Sequence, residues 1–116
     1  MTLPSIIFMC FEELFNTLRE FRDSRNWQKY HTPKNLASSI VIEASELLEL
    51  FQWARSREDE ERVIRERREE VEDEVADILI YLLFFCDAAE IDIVKAFRKK
   101  MAKNEAKYPK DAKIDF

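Results

Sequence analysis

With 116 residues, 47% of them apolar, the chain is long enough for one domain with a core, which leaves little room for a second domain and argues against wholesale disorder. It contains no glycine, and hairpin turns, Walker-type loops and dinucleotide-binding fingerprints need glycine for positive φ or close backbone approach. The formal net charge of −5 argues against a general nucleic-acid binder. An all-α fold is what remains. So small a chain buries its surface incompletely, so an oligomer with helix-lined contacts is expected.

The first eleven residues are apolar but lack a basic leader and a small-residue cleavage site, and Glu12 and Glu13 follow at once, so a signal peptide is not expected. A first helix is predicted from about Ser5 to Arg25, with Phe8, Phe11, Leu14, Phe15, Leu18 and Phe21 at helical spacing. Asn26 to His31 reads as a connection. Thr32 is a good N-cap and Pro33 suits the first helical position, where its missing N–H costs nothing. The second helix then runs to about Ala54, its stripe formed by Leu36, Ile40, Ala44, Leu47, Leu48 and Phe51.

Ser56 and Asp59 form a capping box for a third helix. Its first half is charged, with acid–base pairs three or four residues apart, as on an exposed helix. From Val71 the same helix turns apolar on nearly every side, through Leu83 and Phe85, which predicts burial. Its strongest apolar run, Ile78 to Cys86, is too short to span a bilayer. Asp92 can cap a fourth helix over Ile93 to Lys107, which Pro109 stops. Cys10 and Cys86 lie far apart in apolar surroundings and read as reduced core residues of a cytoplasmic protein. Charge is unevenly spread: Glu58 to Glu74 carries ten acids against four arginines, and Lys95 to Lys113 eight basic residues against two acids. Such a division suits a metal-plus-phosphate site, and equally two solvated faces.

Two acid pairs carry the chemistry: Glu43 with Glu46, and Glu74 with Asp77. Residues three apart on a helix project from one side. Glu43 falls just inside the apolar arc, flanked by Leu36, Ile40, Leu47 and Leu50, and Asp77 sits among Val75, Ala76, Ile78 and Leu79. A buried carboxylate without a partner protonates or needs compensation, from an arginine, a lysine or a cation. Four carboxylates from two antiparallel helices make an oxygen-rich cage suited to Mg²⁺. A di-iron bundle needs Glu-x-x-His on two helices, and the one histidine, His31, lies outside both pairs. Glu69, Glu70, Glu72 and Asp73 are expected on the solvated face, with Glu49 intermediate.

These residues resemble the all-α nucleotide pyrophosphohydrolases of the MazG-like superfamily, whose motif pairs Glu-x-x-Glu on one helix with Glu-x-x-Asp on the next. Here the motif stands as Glu43-Ala-Ser-Glu46 and Glu74-Val-Ala-Asp77. Phe21-Arg-Asp-Ser-Arg-Asn-Trp27, His31-x-Pro33-Lys-Asn35-Leu, Glu46-Leu-Leu-Glu-Leu-Phe-Gln-Trp53, Asp77-Ile-Leu-Ile-Tyr81-Leu and Lys100-Met-x-x-Asn104-x-x-Lys107-Tyr108-Pro109 are similar to the dCTP pyrophosphatase branch. The resemblance treats residues 1–116 as one domain with its core over about 11–109. There are two departures. Ile42 stands where many relatives carry a further glutamate, and Lys107 replaces a common arginine, keeping the charge without the bidentate fork.

The resemblance implies a helical bundle, a dimer or dimer of dimers, that binds Mg²⁺ through Glu43, Glu46, Glu74 and Asp77. It further implies cleavage of nucleoside triphosphates, dCTP-like pyrimidine deoxynucleotides first, to monophosphate and pyrophosphate, in the service of nucleotide-pool cleaning. Lys100 and Lys107 would hold phosphates, with Tyr108 beside them in the motif. Trp27 and Trp53 would stack on the base, and Tyr81 would touch phosphate or sugar. Asn35 and Asn104 would hydrogen-bond the nucleotide, with a helix-start role for Asn35 and a solvated one for Asn104 as alternatives. His31 would line the pocket or hold a turn. Neither nucleic acid nor membrane is an expected partner. The rival reading is a non-catalytic helical dimerisation module whose carboxylates are salt-bridged.

Overall fold

A computed structural model describes residues 3–111, with side chains from Phe11 onward; Cys10 and the first apolar side chains of the leading helix lie outside the described residues. Five α-helices follow one another: α1 (Leu3–Ser24), α2 (Pro33–Leu50), α3 (Arg57–Glu66), α4 (Arg68–Ala88) and α5 (Ile93–Lys107). A short 3₁₀ turn, Gln28–Tyr30, joins α1 to α2. No strand occurs among the described residues. The fold is all-α.

The three expected caps form. Thr32 accepts from the Asn35 N–H at 3.2 Å, Ser56 from the Asp59 N–H at 3.1 Å, and Asp92 from the Lys95 N–H at 3.1 Å. Each satisfies an N–H that the first helical turn leaves without a partner. The second helix stops at Leu50 rather than near Ala54, and turns through residues 51–53.

The helix expected to run unbroken from Ser56 instead breaks at Arg67, whose φ of −117° and ψ of 34° leave the helical region. Neither proline nor glycine marks the spot. The Arg67 N–H still bonds the Val63 carbonyl and the Val71 N–H the Arg67 carbonyl, so Arg67 closes one helix and opens the next. The bend lays Val63 of α3 along Leu50, Trp53 and Ala54 at the end of α2.

The main packing is α2 against α4. His31, just before α2, packs edge-on against Phe84 near the end of α4, whereas Glu46 meets Glu74 near its beginning; the two helices therefore run antiparallel. Leu36, Leu83, Phe84 and Cys86 are buried between the elements. Covering each of the large side chains contributes on the order of 1.5–3 kcal/mol. α1 is held to α4 by charge as well as packing: Arg19 and Arg22 both donate to Asp87.

The expected all-round burial of α4 is not met within one copy. Val75, Leu79 and Leu82 stay well exposed on its outer face, as do Val41 and Leu48 on α2, the last at 71%. The core-facing stripe keeps Leu36, Ile40, Leu47 and Leu50 inward, but Leu48 and Ala44 point out. A radius of gyration of 17.4 Å exceeds the roughly 13 Å of a compact chain of this length. No described helix is long and apolar enough to cross a membrane.

Candidate active site

α2 and α4 each carry one of the acid pairs to the same place in their antiparallel contact. One carboxylate oxygen from each of Glu43, Glu46 and Glu74 lies within 4.8 Å of the others. Glu43 and Glu74 are half-buried and Glu46 is exposed. The Oε2 atoms of Glu43 and Glu74 are fully buried and have no hydrogen-bond partner. Asp77, one turn beyond Glu74 and half-buried, is outside the tight trio but close enough for its charge to act on both Glu43 and Glu74.

Crowding has an electrostatic signature. Desolvation, then the neighbouring carboxylates of Glu46, Glu74 and Asp77, push the Glu43 carboxyl up to about 7. Glu74 is raised too, by desolvation first and by the charge of Glu46 next. Among the described ion pairs none involves Glu43, Glu46, Glu74 or Asp77; the arginines pair elsewhere, with Asp23, Asp59, Glu61, Glu70, Glu72 and Asp87. The structural salt-bridge alternative for these acids is therefore not what the geometry provides. Unpartnered buried oxygens on hard carboxylate ligands fit the chemistry of a divalent cation such as Mg²⁺. Glu43, Glu46 and Glu74 would hold it, with Asp77 adjacent.

Beside the trio lies a cavity of about 430 Å³ lined by Glu46, Glu49, Leu50, Gln52, Arg67 and Glu74. A neighbouring one of about 310 Å³ is lined by Trp53 and by Asp59, Arg62, Val63, Glu66 and Arg67 of α3 and its end. Trp53 is 79% exposed, so its ring is free to stack. Gln52 and Arg67 escaped sequence reasoning. Gln52 stands between Phe51 and Trp53 and Arg67 in a run of charged residues, and the break at Arg67 leaves that side chain on a cavity wall shared with the acids.

The other sequence-predicted residues do not line this cavity. Trp27 packs edge-on against Phe21, ring centroids 5.4 Å apart. The His31 ring lies 4.5 Å from Phe84, its Nδ1 buried and unpartnered; burial, then the charge of Arg22, lowers its pKa, so the ring is neutral at pH 7. Asn35 Nδ2 donates to the Tyr30 carbonyl at 3.1 Å, which braces the turn before α2. Tyr81 is half-buried on α4, seven residues beyond Glu74 and four beyond Asp77, so it continues their side of the helix. Lys100, Asn104 and Lys107 lie on α5, with Lys107 Nζ 5.2 Å from the ring of Tyr108. None of these lines the cavity beside the trio. Glu69, Glu70, Glu72 and Asp73 are exposed, as expected.

An all-helical chain whose two antiparallel helices converge acids in Glu-x-x-Glu and Glu-x-x-Asp spacing belongs to a definable class: residues 38–115 match the model of the MazG-like family, and the chain is a member of that family. It is similar to dCTP pyrophosphatase 1 of Rattus norvegicus, 33% identical over 99 residues, and to that of Homo sapiens, 34% identical over 99 residues, in each case covering 84% of this chain. The chain spans 58% of the length of these relatives. A crystal structure of a pyrophosphatase from Archaeoglobus fulgidus superposes with a TM-score of 0.84 at 64% identity, covering 86% of this chain and 93% of that one.

Proposed function

We propose that this chain is a single-domain, Mg²⁺-dependent nucleoside triphosphate pyrophosphohydrolase that releases monophosphate and pyrophosphate, with dCTP-like pyrimidine deoxynucleotides as first substrates. The observation that carries the reading is the pair of buried, unpartnered Oε2 atoms on Glu43 and Glu74, facing Glu46 across the α2–α4 contact. Similarity to dCTP pyrophosphatases and to a pyrophosphatase of 64% identity supports the reaction type and ranks the substrate.

The chain's own residues take definite parts. Glu43, Glu46 and Glu74, with Asp77, hold the cation, which when bound neutralises charge on the phosphate oxygens. A carboxylate oxygen of the set accepts the proton of the water that attacks the α-phosphorus. Trp53 offers a face for the base. Trp27, His31, Asn35, Tyr81, Lys100, Asn104, Lys107 and Tyr108 contribute after self-association, because they do not line the cavity and because α2, α4 and α5 expose Val41, Leu48, Leu79, Phe97 and Met101. We therefore read the working form as a homo-oligomer acting on a cytoplasmic nucleotide pool.

The test is a panel of nucleoside triphosphates incubated with and without Mg²⁺, products separated by chromatography, and repeated with Asp77→Asn. Monophosphate plus pyrophosphate, dependent on Mg²⁺ and lost in a folded Asp77→Asn, is the expected result. Diphosphate plus orthophosphate, or no product with any nucleotide, refutes it.

A further inference from the structure

Arg67 has a place in this site that its sequence surroundings conceal. It lies at the break between α3 and α4, and it and Leu50 are the two residues common to both cavities described above. Of the residues lining the cavity beside the trio, Glu46, Glu49 and Glu74 are acids and Arg67 is the one cation.

Charge makes that cation consequential. A triphosphate brings about four negative charges, and one divalent ion offsets about two, so a cavity already walled by three carboxylates needs another positive group near the phosphates. The lysines of α5 do not line it. Arginine suits the task, because its planar fork presents five donors matched to phosphate oxygens. One of its nitrogens, Nη2, donates to Glu70. That pair is a solvent-exposed one, the side chains 47% and 56% exposed, and such pairs contribute little and exchange readily.

We propose that Arg67 is a phosphate-binding residue: its guanidinium exchanges Glu70 for a phosphate oxygen of the nucleotide held at the carboxylate trio. The proposal rests on the triphosphate reading of that site. The break in the helix is what makes it possible, since it sets Arg67 on the wall between the acids and Trp53.

The test uses calorimetric titration of wild type, Arg67→Ala, Arg67→Lys and Glu70→Gln, first with Mg²⁺ alone and then with inorganic pyrophosphate at saturating Mg²⁺. Arg67→Ala should bind Mg²⁺ at least as well as wild type but pyrophosphate about tenfold to a hundredfold more weakly, the range for losing a hydrogen bond to a charged group. Arg67→Lys should recover most of the affinity, and Glu70→Gln should match or exceed wild type. Unchanged pyrophosphate affinity in Arg67→Ala overturns the proposal. So does an equal loss in Glu70→Gln, which would assign the effect to the bend rather than to the guanidinium. A wild type that binds neither probe removes the site reading itself, and this proposal with it.

Discussion

Glu43 on α2 and Glu74 on α4 each bury an Oε2 atom in the same space, and neither atom has a donor to meet it. Crowding of this kind favours the protonated carboxyl. Glu43 rises from 4.5 to about 7, chiefly through desolvation and then through Glu46, and Glu74 moves the same way. A carboxyl raised on folding keeps a proton that the unfolded chain has already shed. Its contribution to stability is therefore present below the unfolded value and lost as pH climbs to the folded one.

The first prediction follows from that sign. Metal-free protein should lose stability as pH rises from about 4.5 to about 7, and Mg²⁺ should restore it by replacing the protons. At a Mg²⁺ concentration 100 times Kd the gain is about 2.7 kcal/mol. Melting curves with and without Mg²⁺ should show a larger upward shift at about pH 8 than at about pH 5.5. In Glu43→Gln the metal-free protein should melt higher at the upper pH and respond less to Mg²⁺. Equal shifts at both pH values would show that the acids are not titrating against the ion.

What could be read from the chain, and what could not, divides along physical lines. Thr32, Ser56 and Asp92 announced their helices because capping is a local hydrogen bond. Glu43 betrayed its inward position by falling within the arc of Leu36, Ile40, Leu47 and Leu50. The break at Arg67 had no such signal: Arg, Glu and Val are all tolerated in helix interiors, and no capping residue, proline or glycine stands there. Nor does apolar periodicity say whether the chain's own helices cover a residue. It marked α4 as avoiding water on every side, and one copy buries only part of it.

Asp87 supplies the second prediction. Its Oδ1 accepts from Arg19 Nε at 2.9 Å and Nη2 at 2.8 Å, and its Oδ2 from Arg22 Nη1 at 2.6 Å. Burial raises its pKa, but the two guanidinium groups outweigh burial and the net shift is downward. A depressed carboxyl stabilises above its unfolded value of 3.8 and ceases to do so as pH falls through the folded one. Asp87→Asn should cost about 2 kcal/mol at neutral pH, in the range for hydrogen bonds to charged groups. Urea titrations at about pH 7 and about pH 3 should show the deficit shrinking in acid. A deficit that persists in acid would mean packing, not charge, holds α1 here.

The outer apolar faces give the third. Val41 and Leu48 are seven apart on α2, and Val75, Leu79 and Leu82 share a side of α4. Covering a leucine in a partner copy is worth about 1.5–3 kcal/mol, and replacing it with a charge forfeits that and adds a desolvation cost. Leu48→Arg should therefore shift the protein to monomers in light scattering after gel filtration, with a lower melting temperature. A wild type that runs as a monomer at tens of micromolar would dispose of the self-association reading.

The last prediction concerns how a chain without glycine ends its helices. After α4 the Ile91 N–H bonds the Cys86 carbonyl at 2.8 Å and the Glu90 N–H reaches the Asp87 carbonyl at 3.4 Å; after α1 the Trp27 N–H bonds the Arg22 carbonyl at 3.0 Å and the Asn26 N–H the Asp23 carbonyl at 3.1 Å. Both are Schellman closures, which set one residue in the left-handed region, normally glycine. Here Asn26 has φ 56° and Glu90 φ 55°. Asparagine tolerates that conformation through its short polar side chain, whereas glutamate bears a steric cost of about 1–2 kcal/mol. Glycine removes that cost but raises the entropy of the unfolded chain by about 0.5–1 kcal/mol. Glu90→Gly should thus gain up to about 1.5 kcal/mol in urea unfolding, as the difference of those two terms, and Asn26→Gly should gain less. Glu90→Val, β-branched at positive φ, should lose stability. A Glu90→Gly variant no more stable than wild type would mean that the glutamate side chain gives back what its backbone costs, for which the exposed carboxylate has no hydrogen-bond partner among the described residues.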